Sequence, residues 1–160
     1  MTTIFLPSIR SFVGDQFYYV TTLSFDELAG FAPEDTDLIG GEEDIKAGAS
    51  YVILANPKRP IGQIIVGVSG GSPNWTPLRV NTPDYDGITE GQKDRIEGRF
   101  GLLSFDGSEQ FFVIEGRYKI AGIKFALESK PELKDSCVSV IFVSHECEND
   151  KNRTKNRRQR

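Results

Sequence analysis

The chain has 160 residues, 38% of them hydrophobic and 11 of them Phe, with a formal net charge of −4. That length and apolar content fit one domain with a real core, since a globule of this size buries roughly 70% of its unfolded-chain surface. The acidic balance excludes a protein whose whole surface is built for nucleic acid. No run approaches the ~18 apolar residues that span a bilayer, and residues 1–7 lack the basic start and long apolar run of a secretory signal. The expected location is therefore cytoplasmic, with no membrane partner.

In chain order, Phe17 to Leu23 is rich in aromatic and β-branched residues and predicts a strand. Ser24 followed three residues later by Glu27 forms a capping box, and Phe25, Leu28 and Ala29 give the short helix after it an apolar side that Pro33 ends. Glu42 to Ala55 fits a helical stripe through Ile45, Ala49 and Val52, while Tyr51 to Leu54 alone would also suit a strand. Asn56 to Pro60 reads as a turn and Ile61 to Val68 as a strand.

From Ser69 to Arg99, glycines and prolines interrupt every period, which predicts a surface excursion with a short helical turn around Glu90 to Glu97. Leu102 to Phe105 and Gln110 to Ile114 flank Asp106-Gly107-Ser108-Glu109, a hairpin signal. Phe111 to Ile114 is apolar without alternation, so this strand is expected to be covered on both faces. Ile120, Ile123 and Leu127 then repeat at helical spacing until Pro131, and Val138 to Val143 is a further apolar strand. The order predicts a single α/β (α+β) domain, a mixed sheet with flanking helices.

The chemistry concentrates where the predicted strand ending at Glu115 passes through Gly116 into a helix that carries Arg117 and Lys119 in its first turn. Helix starts leave N–H groups unpaired and carry partial positive charge, so they attract phosphate or carboxylate, whereas cations there are mildly unfavourable without a negative partner. Glu115 or a ligand fills that role, and Gly116 permits close approach of the backbone or a φ > 0 turn.

The segment Glu115-Gly116-Arg117-Tyr118-Lys119-Ile120-Ala121-Gly122-Ile123 resembles the core of the DGQHR-domain family, which includes DndB-like proteins of DNA phosphorothioation systems. The family core reads Asp-Gly-Gln-His-Arg, and only the glycine is identical. The resemblance extends to Tyr18-Tyr19-Val20 with Phe25 to Leu28, to Asn56 to Arg59 with Ile64 to Val66 and Gly70-Gly71, and to Phe100 to Ser104. Beyond the core it covers Val138 to Val143 and Asn152-Arg153-Thr154.

The resemblance implies a ParB/sulfiredoxin-like fold over residues 1–148 and favours the helix at Glu42 to Ala55. It implies phosphate or nucleotide binding by Gly116, Arg117, Tyr118 and Lys119, with Glu115 as the candidate catalytic group and a nucleoside triphosphate with magnesium as the ligand. Lys119 meets a phosphate without arginine's bidentate fork, and Tyr118, with an unperturbed pKa of about 10, is no substitute for histidine as a proton carrier, so turnover is expected to be weak or absent. Family members usually continue into a longer, largely helical region, which makes a fragment or a reduced function the expectation here.

Residues 149–160 form a basic, disordered tail in this reading. Lys151, Arg153, Lys155, Arg157, Arg158 and Arg160 are candidate contacts to DNA phosphates. Trp75 is read as an anchor for the long excursion rather than a platform for a base, and His145, beside Glu146, as a loop histidine. With one histidine and no CxxC around Cys137 or Cys147, no metal site is expected. The function expected is an accessory or regulatory DNA-binding protein of a DNA sulfur-modification or related defence system, partnered with DNA and the phosphorothioation proteins. The rivals are a nucleotide triphosphatase acting with DNA and an interaction module without ligand.

Overall fold

The computed structural model describes residues 3–31, 42–55, 61–79 and 87–144. Strands β1 (Ile4–Val13), β2 (Gln16–Ser24), β3 (Ile64–Ser69), β4 (Asn74–Pro77), β5 (Phe100–Phe105), β6 (Gln110–Glu115) and β7 (Cys137–Ser144) belong to one seven-stranded sheet in the order β4-β5-β1-β2-β7-β3-β6. Four helices accompany them: α1 (Phe25–Phe31), α2 (Glu42–Ala55), α3 (Glu90–Glu97) and α4 (Arg117–Ser129), the last followed by a 3-10 turn at Pro131–Asp135. The mixed α/β class is as expected. None of the described helices is long and apolar enough to cross a membrane.

The chain divides into two compact units. The first comprises 1–19, 67–110 and 142–160. Within it β5 lies antiparallel between β1 and β4, with Leu6 opposite Leu103 and Trp75 opposite Leu103 on the other side. This register puts Leu6, Leu103 and Phe105 on one face, where they are buried with Phe142, whose ring meets that of Phe105 edge-on at 5.2 Å. Helix α3 begins with a capping box between Thr89 and Gln92 and buries no residue.

The second unit comprises 20–66 and 111–141. Ser24 and Glu27 make the reciprocal hydrogen bonds of the expected capping box, which starts α1. Phe25 and Leu28 are buried beneath it. Helix α4 turns Ile120, Ile123 and Ala126 into the core with Ile64, Val66, Val138 and Val140, and its Gly122 lies against Ala49 of α2. The stretch 42–55 is a helix, as the resemblance favoured.

Several expectations are corrected. β1 was not anticipated, because Pro7 in its middle argues against a strand. The excursion from Ser69 contains β4 as well as α3. β3 starts at Ile64 rather than Ile61. Asp106 to Glu109 does not close a hairpin, since β5 and β6 are not neighbours in the sheet. Instead, the Glu109 side chain is buried and accepts the N–H groups of Ser72, Asp106 and Gly107, so a carboxylate rather than a hairpin turn organises the link. β6 is an edge strand, not one covered on both faces: Phe112 is 36% and Ile114 52% exposed. The turn expected at Asn56 to Pro60, and Pro33, lie outside the described residues.

Candidate functional site

The sequence Ile114-Glu115-Gly116-Arg117 passes from the end of β6 into α4 through one residue in the left-handed region, Gly116 at φ 101° and ψ 19°. Conformation and space both require glycine here. A side chain is disfavoured at that φ, and a Cβ would sit 3.0 Å from Cγ1 of Ile64, which is itself fully buried. The first intrahelical bond runs from the Ile120 N–H to the Gly116 carbonyl at 3.0 Å, and no side chain caps the turn. The amides of Tyr118 and Lys119 therefore precede the hydrogen-bonded body of the helix, where the backbone field is positive.

The side chains around these amides divide into two sets. Glu115, Arg117 and Tyr118 are exposed, Tyr118 by 46%. Lys119 is half-buried and its Nζ donates to the Gln63 carbonyl at 3.1 Å, fastening the start of α4 to the approach to β3. Arg117 Nε donates to the Val113 carbonyl at 3.4 Å. Glu115 makes no ion pair among the described residues, so it is not the internal partner of either cation. Both cations donate to backbone carbonyls, and both of those bonds lie at the surface.

This arrangement fits an anion held by backbone amides and two adjustable cations. Glu115 is the one carboxylate of the turn, which matches the one or two carboxylates that magnesium takes beside the phosphates of a bound nucleotide. Among the described residues no three His, Cys, Asp or Glu side chains converge.

Trp75 is an anchor, as expected: its Nε1 donates to the buried Ser8 hydroxyl at 3.2 Å. A Cβ on Gly101 would lie 2.5 Å from the indole, so the ring rests directly on bare backbone of β5. Cys137 is a free, exposed thiol at the start of β7. His145, Cys147 and the six tail cations from Lys151 to Arg160 lie outside the described residues.

One cluster was not found by sequence reasoning. Arg10 on β1 places its guanidinium carbon 4.1 Å from the Trp75 ring centre and 4.8 Å from that of Phe17 on β2. Its signal was the alternation of Leu6, Ser8, Arg10 and Phe12, hidden by the proline. Comparisons with protein families, with curated proteins and with solved structures find no match to this chain.

Proposed function

We propose that this chain is an accessory or regulatory DNA-binding protein of the DGQHR-like class, serving DNA phosphorothioation or a related defence system. In this reading a nucleotide or DNA phosphate is held at the start of α4, and the tail from Lys151 to Arg160 contacts DNA. The observation that carries it is Gly116, whose left-handed backbone opens, without a side-chain cap, a helix with two cations in its first turn. A phosphate there accepts the Tyr118 and Lys119 amides, while Arg117 turns from its long bond to Val113 towards the ligand. Nucleotide turnover is slow or absent, because Glu115 is exposed and isolated and Tyr118 replaces the proton carrier.

The second reading, an interaction module without ligand, is favoured by the bonds that Arg117 and Lys119 already make to carbonyl oxygens. Calorimetric titration with ATP, GTP and CTP separates the two. The phosphate reading expects binding that Arg117→Ala with Lys119→Met weakens by about tenfold or more, the Met retaining the packed stem of the lysine. Equal binding by wild type and variant removes the site, and no binding by wild type selects the module. Rapid phosphate release that Glu115→Gln abolishes would select the triphosphatase instead.

A further inference from the structure

The first unit holds a second concave site, independent of the helix start. Phe17 and Tyr19 on β2 wall a cavity of about 270 Å³ whose floor is formed by Leu103, Phe105 and Phe142. Four polar side chains share the lining: Asp15 and Gln16 at the β1–β2 turn, Asn74 at the start of β4 and Ser144 at the end of β7. Sites of this kind, with aromatic walls, an apolar floor and few polar groups, select one flat apolar body and orient it by its edge. The volume lies just below the ~300–1,000 Å³ of sites for larger ligands, which limits the occupant to one compact ring system.

The polar groups narrow the class. A carboxylate, two amides and a hydroxyl offer acceptors to ring N–H and amino groups, and the amides add donors beyond the bonds that Gln16 makes to Asp15 and Asn74 to Thr76. With Asp15 beside it, the cavity repels an anionic substituent, so any negative group on the ligand must remain outside. Arg10 is the cation next to the cavity: its guanidinium is stacked over Phe17, the residue that also lines the cavity, and over Trp75. Among the described residues none of its side-chain N–H groups donates a hydrogen bond. Stacking occupies the face of a guanidinium and leaves its in-plane donors for an anion. A purely structural cluster would be covered, yet Phe17 is 49% and Phe12, edge-on to it, 68% exposed.

We infer that this cavity takes an unpaired nucleobase, with the attached phosphate paired to Arg10. The base comes either from a free nucleotide or from a single strand, and stacking on one aromatic side chain is worth about 1–3 kcal/mol per base. The test uses the full chain, with Trp75, its single tryptophan, as reporter beside Tyr19 and Arg10. Deoxynucleoside monophosphates, the matching nucleosides, a short single-stranded oligonucleotide and an abasic oligonucleotide of equal length are titrated, with heats measured in parallel.

The expected result is saturable binding of the base-containing ligands, weakened about tenfold or more by Phe17→Ala and by Asn74→Ala. Arg10→Met should weaken nucleotides and leave nucleosides unchanged. Binding of mononucleotides assigns the free ligand, and binding of the oligonucleotide alone assigns the single strand. Equal affinity for the abasic strand would mean that phosphate contacts elsewhere account for binding and would overturn the inference. Absence of binding, or binding indifferent to Asn74→Ala in a protein with wild-type circular dichroism, would overturn it too.

Discussion

Asp106 shows how a short polar segment becomes specific. Its carboxylate accepts the Ser108 hydroxyl and the Ser108 N–H, and these bonds, the hydroxyl first, hold its pKa below the ordinary carboxylate value. A depressed pKa means that the folded chain binds fewer protons than the unfolded one. The stabilisation is therefore complete above the unfolded value of about 3.9 and is lost as pH falls through the lower folded value. Ser108→Ala should raise the Asp106 pKa towards the ordinary value, which carboxyl-detected NMR titration measures; an unmoved titration would show that Ser108 is not the cause. The neighbouring Glu109 was not legible. Its meaning depends on Ser72, 37 positions away, whose N–H it accepts at 3.3 Å, and nothing local in Asp-Gly-Ser-Glu distinguishes a buried carboxylate from a turn tip.

Among the elements, those governed by near neighbours were legible. Ser24 and Glu27 announced α1 because a capping box is complete within four residues, and α4 followed from apolar residues at helical spacing. Elements fixed by distant pairing were not. β1 contains Pro7, β4 is four residues long and ends in Pro77, and pairing with the distant β5 is what marks them as strands. The separation of β5 from β6 has the same origin, since sheet order is decided by which distant strand covers which face. At the candidate site the strand, the glycine turn and the helix were all anticipated, whereas the attachment of Lys119 to Gln63 was not. Gly116→Ala tests this junction. The left-handed conformation costs roughly 1–2 kcal/mol for a residue with a Cβ, and contact with Ile64 adds to it. The melting temperature should fall by about 2–4 °C for each kcal/mol lost, measured by calorimetry; an unchanged value would mean that the turn relaxes freely.

At the scale of the whole molecule, charge is distributed very unevenly. The chain is acidic overall, yet its last ten residues carry six cations and no anion. If the tail meets DNA phosphates, deleting residues 151–160 should weaken binding to all sequences alike and flatten the dependence of log affinity on log salt by up to ~0.9 per lost contact. Any sequence preference should survive, because phosphate contacts position a protein without reading bases. Fluorescence anisotropy over a salt series gives both quantities, and an unaltered slope would exclude the tail. The central claim, however, is the anion site at the start of α4. Its most direct test is a titration of the isotope-labelled full chain with ATP, followed amide by amide in nitrogen–proton correlation spectra. The account predicts the largest saturable shifts at Gly116, Arg117, Tyr118 and Lys119; shifts absent there, or confined to the cavity beside Phe17, would contradict it.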